Sequence, residues 1–133
     1  MRAIFVAVLA VPLLSTFAIS QAVSHSKTIS GQQLYEAHCA LCHGPDAKGG
    51  GPFSPQLKTW PPDLTTLAMK NNGNFPAMRV SESIDGEFDQ SSHGSKDMPI
   101  WGPTFRAEAK GHADNAALRI RNLVKYIESL QQR

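Results

Sequence analysis

The chain has only two cysteines in 133 residues, and both fall within one pentapeptide. Two thiols cannot build the disulfide framework that staples many small exported domains. Charge of neither sign prevails: Lys plus Arg is 13 and Asp plus Glu is 11. No strong field results, so nucleic-acid binding has no electrostatic support. Long hydrophobic runs are missing beyond the first residues. The apolar stretch Ala3 to Leu14 is interrupted by Pro12 and is shorter than the ~20 residues a spanning helix needs. No internal repeat is present. No convincing alternating apolar run marks a strand, which removes the parallel-sheet folds and leaves an all-α reading.

That N-terminal stretch has a different reading. Met1-Arg2 is a short basic start, and the apolar run loosens through Ser15, Thr16, Ala18 and Ser20. This is the layout of a secretory signal peptide. Residues 1–22 are expected to be removed, with cleavage after Ala22 or after Ser20; uncleaved, the segment would be a membrane anchor. Residues 23–133 then form one small domain with a modest core of its own.

Both cysteines belong to Cys39-Ala40-Leu41-Cys42-His43. C-x-x-C-H is the attachment signature of a c-type haem. Two thiols about one helical turn apart match two vinyl groups on one edge of a planar porphyrin. The next residue, His43, can swing its imidazole under the ring to ligate iron. Two other readings compete. A thioredoxin-like dithiol requires a βαβ context, but a helical pattern precedes the motif here. A closed structural zinc site requires four ligands, and His25, His38, His93 and His112 show no paired ligand spacing. Covalent haem attachment in bacteria occurs outside the cytoplasm, so the export signal and the pentapeptide agree on a periplasmic location.

Helices are expected along the rest of the chain. Ser30 is a good N-cap for a helix carrying Leu34 and Tyr35 into the attachment turn, stopped at Gly44-Pro45. Residues 44–62 are rich in Gly and Pro and read as a loop. A second helix is expected from Asp63 to Asn71-Asn72-Gly73. A third begins at Pro76 and stops at Gly86. Residues 86–105 read as irregular. Ala116, Ala117, Ile120, Leu123, Val124, Ile127 and Leu130 form a core-facing stripe on a final helix that Asp114 can cap.

An electron carrier usually gives its haem iron a second strong ligand. Met69 and Met78 sit in amphipathic patterns, where core packing is the plain reading. Met98 lies in a loop, and Pro99 after it fixes the backbone. That suits a side chain held out to a metal, and His93 in the same loop is the alternative. A thioether ligand would raise the reduction potential.

Four elements in order resemble a known family. They are Gly31-x-x-x-Tyr35-x-x-x-Cys39-x-x-Cys42-His43-Gly44, then Pro55-x-Leu57, then Met98-Pro99-x-Trp101-Gly102, then Leu123-x-x-Tyr126-Ile127-x-x-Leu130. Nearly all of residues 23–133 resembles a class I c-type cytochrome, the bacterial single-haem kind related to haem domains of cytochrome oxidase subunits. The resemblance implies about four helices with long loops around one haem c, the first and last helices crossing at Gly31. It implies His43 and Met98 as axial ligands. It also implies Pro55 as the carbonyl acceptor for the His43 Nδ1–H, with Leu57 and Ile100 packed on the ring. Trp60, Arg79 and Trp101 could reach the propionates or serve as core or surface. The region from Lys58 to Asp97 departs from the mitochondrial type and leaves partner identity open.

The function expected is one-electron transfer between redox protein partners: a dehydrogenase or membrane complex on one side, an oxidase or reductase on the other. No substrate is turned over. Lys48, Lys58 and Lys96 either steer an acidic partner or merely solubilise the chain. A dedicated electron-transfer subunit of one oxidoreductase complex is the alternative. A haem enzyme or gas-binding protein would need an open distal position.

Overall fold

The computed structural model describes residues 28–86, 98–110 and 115–132. The expected signal segment, His93, Lys96 and Asp114 lie outside them. Among the described residues, five α-helices follow in order: α1 Gly31–His38, α2 Ala40–His43, α3 Ala77–Asp85, α4 Gly102–Glu108 and α5 Ala116–Ser129. Three 3₁₀ turns, Ser54–Gln56, Leu64–Thr66 and Met69–Asn71, break up the stretch between α2 and α3. No strand occurs among the described residues, so the all-α expectation holds.

The start of α1 is dictated locally. The Ser30 hydroxyl accepts from the Gln33 N–H at 3.2 Å, and the Gln33 side chain accepts from the Ser30 N–H at 3.0 Å. This capping box satisfies two of the helix's free amides at once. Leu34 and Tyr35 on its inner face are almost fully buried.

The longest helix, α5, turns Ala116, Ile120, Leu123, Val124 and Ile127 inward. Its cap is Asn115, whose side chain accepts from the Leu118 N–H at 2.9 Å. The expected cap was Asp114, one residue earlier; both are cap-forming types, and sequence alone does not choose between neighbours. Helix α1 crosses α5 at Gly31. A Cβ there would lie 2.7 Å from the Tyr126 Cβ and 2.7 Å from the Asn122 carbonyl carbon, so only glycine lets the two backbones approach this closely. Asn122 Nδ2 also donates to the Ile29 carbonyl at 3.0 Å, tying the chain before α1 to α5. Leu123 and Tyr35, both buried, lie in the core formed along this crossing, with Phe105 from α4 and Ile84 from α3.

Two expectations are corrected. The segment from Asp63 to Gly73 is a pair of 3₁₀ turns, not a helix. In an α-helix the Ala68 N–H would bond the Leu64 carbonyl. Here the Gln131 carboxamide takes both: its Oε1 accepts from Ala68 N–H at 2.8 Å and its Nε2 donates to Leu64 O at 2.7 Å. The second correction lies in residues 86–105, read as irregular, which contain most of α4. Pro103 sits at the start of that helix, where its missing N–H costs nothing.

Asp63 opens the first of these turns, and its carboxylate accepts from the Thr65 hydroxyl at 2.6 Å and the Thr65 N–H at 2.8 Å. The Thr65 hydroxyl bond, ahead of other causes, holds the Asp63 carboxyl below its ordinary range. A depressed carboxylate stabilises the fold above the unfolded-state pKa and stops doing so as pH falls through the folded-state value. Asp63→Asn is therefore expected to be less stable than wild type at neutral pH, with the gap closing below about pH 4. Urea denaturation at a series of pH values checks this; a gap that stays constant down to pH 2 would refute it.

Candidate haem site

The attachment pentapeptide occupies the corner between α1 and α2. Cys39 ends α1 and caps α2, Cys42 lies in α2, and His43 is its last residue. The backbone makes this turn because Gly44 follows in a left-handed region, φ 81°, that favours glycine. The loop after it folds straight back over α2. Gly49, Gly51 and Phe53 donate their N–H groups to the carbonyls of His43, Cys42 and Leu41 at 2.8, 3.1 and 2.9 Å. Those are carbonyls that a helix end leaves unpaired. The close approach requires glycine at 51, where a Cβ would lie 2.6 Å from the Cys42 carbonyl carbon and 2.7 Å from the Ala40 oxygen. The buried Ser54 hydroxyl lies 2.7 Å from the Cys42 oxygen and 2.8 Å from the Gly49 oxygen, and can donate to either. Tyr35 Oη donates to the Gly44 carbonyl at 2.7 Å, locking the turn from the α1 side.

His43 is 9% exposed. Its Nδ1 lies 3.3 Å from the carbonyl oxygen of Pro62. A carbonyl only accepts, so Nδ1 carries the proton and Nε2 presents its lone pair. Burial keeps the imidazole below its ordinary pKa, partly offset by the Pro62 carbonyl. A neutral ring with a fixed tautomer is the form that binds a metal. The expectation that Pro55 supplies this carbonyl is corrected: the acceptor is Pro62. Pro55 is exposed in the 3₁₀ turn Ser54–Gln56. The same argument applied to Pro61-Pro62 would have identified an alternative acceptor, since a proline pair offers carbonyls without competing donors. Which proline lies beside His43 depends on how the loop folds back, and no local pattern encodes that.

The two thiols are half-buried and unpaired with each other. Burial, with Cys42 beside it, pushes the Cys39 thiol up to about 12. Redox-active dithiols carry a lowered thiol; at Cys39 the shift runs the other way. Among the described residues, no group of three or more His, Cys, Asp or Glu could hold a metal ion. The donor set fits a covalently held porphyrin: two unpaired thiols for thioether bonds and one imidazole whose Nδ1 is engaged by a carbonyl, leaving the Nε2 lone pair for a metal. Large apolar side chains are exposed as well, with Ile100 at 50%, Trp60 at 60% and Met78 at 76%. A porphyrin has apolar faces that such side chains can cover.

Other expected site residues are placed as follows. Leu57 is half-buried just beyond the 3₁₀ turn, and Met98 is half-buried against the core. Ile100 lies over Gly86 at the end of α3. Trp101 N–H donates to the Ile84 carbonyl at 2.9 Å, fastening this segment to α3. Arg79 is exposed on α3. Trp101 is half-buried against His38 and Phe105. Among the described residues, no helix is long and apolar enough to cross a membrane.

A helical fold whose first and last described helices cross at a glycine, with C-x-x-C-H at the corner and a buried imidazole at its end, defines a class I c-type cytochrome domain. The comparison with known families agrees: residues 26–113 match the family model for cytochrome c oxidase, cbb3-type, subunit III, and the chain belongs to that family. No curated protein and no solved structure matched it. Haem c and a role in electron transfer follow from the family.

Proposed function

We propose that residues 23–133 are a one-electron carrier holding one haem c, with Cys39 and Cys42 as thioether anchors and His43 and Met98 as axial ligands. Residues 1–22 direct export and are removed, so the protein works in the periplasm. The observation that carries the reading is His43: buried, held through Nδ1 on the Pro62 carbonyl, and so presenting the Nε2 lone pair. Bound there, the haem supplies an iron that changes charge by one electron at nearly constant geometry. The protein's part is to hold that iron still and keep water from it. Pro62 fixes the imidazole, the folded-back loop rigidifies the thiol turn, and Met98, on a segment fastened to α3, closes the opposite side.

Visible spectroscopy of protein matured with the haem-attachment machinery tests the ligand set. The ferric protein is expected to show the sulfur-to-iron charge-transfer band, and carbon monoxide should not bind at neutral pH. Met98→Ala should lose the band, gain carbon monoxide binding and have a lower reduction potential. A wild-type ferric sample without the band removes Met98 as ligand and returns the choice to His93.

A second reading is favoured by the family match itself. The chain would then be a dedicated electron-transfer subunit of an oxidase complex, with the same haem chemistry and a committed surface. Stable co-purification with catalytic subunits from the native membrane separates this from a free carrier.

A further inference from the structure

His38 is not used by the attachment chemistry, yet it sits where three helices meet. Its ring centroid lies 5.0 Å from that of Trp101 and 5.2 Å from that of Phe105, the latter edge-on. Its Nε2 lies 3.6 Å from Glu108 Oε2 on α4, and the same oxygen accepts from Arg119 Nη1 on α5 at 2.8 Å. Arg119 is 6% exposed. Among the described residues, Glu108 faces this imidazole from α4, and Arg119 on α5 pairs with that same carboxylate. The last residue of α1, one before Cys39, therefore touches the residue three beyond Met98.

Resting on the reading of Met98 as a ligand, we infer that His38 is a positioning residue for the distal segment. Its ring seats Trp101 and Phe105, and so sets how firmly residues 98–101 hold Met98 toward the iron. Beyond the packing of Met98 and Trp101 on the core, two sets of contacts hold the segment. One is to α3, through the Trp101 N–H on Ile84 and Ile100 over Gly86. The other is to His38, which is part of the helix that delivers the thiols. Proximal and distal sides of the site are thereby referenced to one helix. The contribution comes from the ring: aromatic contacts of this geometry are individually modest, and two acting on one short segment suffice to bias its opening. The Glu108–Arg119 pair fixes the face of α4 that carries Phe105 and orients the imidazole.

Competition by exogenous imidazole for the ferric iron measures the opening of this segment, because Met98 must leave before imidazole binds. His38→Leu keeps most of the volume and removes the ring. It is expected to bind imidazole about tenfold more tightly than wild type, the combined effect of two lost ring contacts. His38→Phe, which keeps a ring, should stay within about twofold. The urea midpoint followed by far-ultraviolet circular dichroism serves as the control, since a purely structural role would lower it without a selective change in imidazole affinity. Equal imidazole affinity in His38→Leu and wild type overturns the inference while leaving Met98 ligation standing. A wild-type protein that lacks the charge-transfer band overturns both. Failure of His38→Phe to restore wild-type affinity overturns the role of the ring.

Discussion

Gly31→Val is expected to lower the unfolding free energy of the haem-loaded protein by about 3 kcal/mol or more, beyond the usual range for a surface substitution. The reason is geometric. A Cβ at position 31 falls within 2.7 Å of both the Asn122 carbonyl carbon and the Tyr126 Cβ. The obstructing atoms are α5 backbone and the root of a side chain, not the flexible end of one, so nothing can rotate aside. Helix α5 must move away, and that opens the packing of Leu34 and Tyr35 against Leu123 and Ile127. It also stretches the Asn122 hydrogen bond to Ile29. Small domains are stable by only about 5–15 kcal/mol, so such a loss is a large share of the whole. Most of the effect should already be present in Gly31→Ala, because the first carbon is the one that collides. Gly50→Ala is the control: nothing lies within 4 Å of a Cβ there, and its urea midpoint should match wild type. Equal midpoints for Gly31→Val and Gly50→Ala would refute the close crossing of α1 and α5.

This crossing was expected only through the family resemblance, because Gly31 by itself reads as an ordinary start-of-helix glycine and the α5 backbone that a Cβ would meet lies some ninety residues away. The start of α1 was legible for a local reason, Ser30 followed three residues later by Gln33. The end of α3 at Gly86 was equally local, a glycine in the left-handed region at φ 89°. What escaped the sequence reading depends on partners far along the chain. Leu64 to Asn71 carries apolar residues at helical spacing, but Gln131 intercepts the bond between Leu64 and Ala68 from the other end of the molecule. Helix α4 is short and begins with Gly-Pro, a local turn signal overridden by Phe105 entering the core. At the site, Cys39, Cys42 and His43 announce themselves by spacing. The acceptor for His43 does not, since Pro55 and Pro62 present the same chemistry and only the loop's path back over α2 selects Pro62. The His38–Glu108–Arg119 contact likewise joins residues with no common motif.

Removing both thiols should have the largest effect of all. Cys39→Ala with Cys42→Ala is expected to abolish covalent haem, and the intact mass of protein produced with the haem-attachment machinery should then equal that of the polypeptide alone. The turn itself should tolerate alanine locally. Its geometry comes from Gly44, from the amides of residues 49, 51 and 53, and from the Tyr35 hydroxyl on the Gly44 carbonyl, none of which involves a thiol. The stability consequence lies elsewhere. The packed core is small, and large apolar side chains such as Trp60, Met78 and Ile100 stand half or more exposed. Covering such side chains contributes about 25 cal/mol per Å² of apolar surface. A chain of this size has little reserve without that contribution. The double variant should therefore lose most of its cooperative urea transition and bind hydrophobic dyes. Each single variant should keep one thioether, carry haem at reduced yield, and retain His43 ligation, because Pro62 holds the imidazole independently of the thiols. A double variant that keeps a sharp wild-type transition would show that the polypeptide core is sufficient alone. The porphyrin would then be a passenger on this fold and not part of its core.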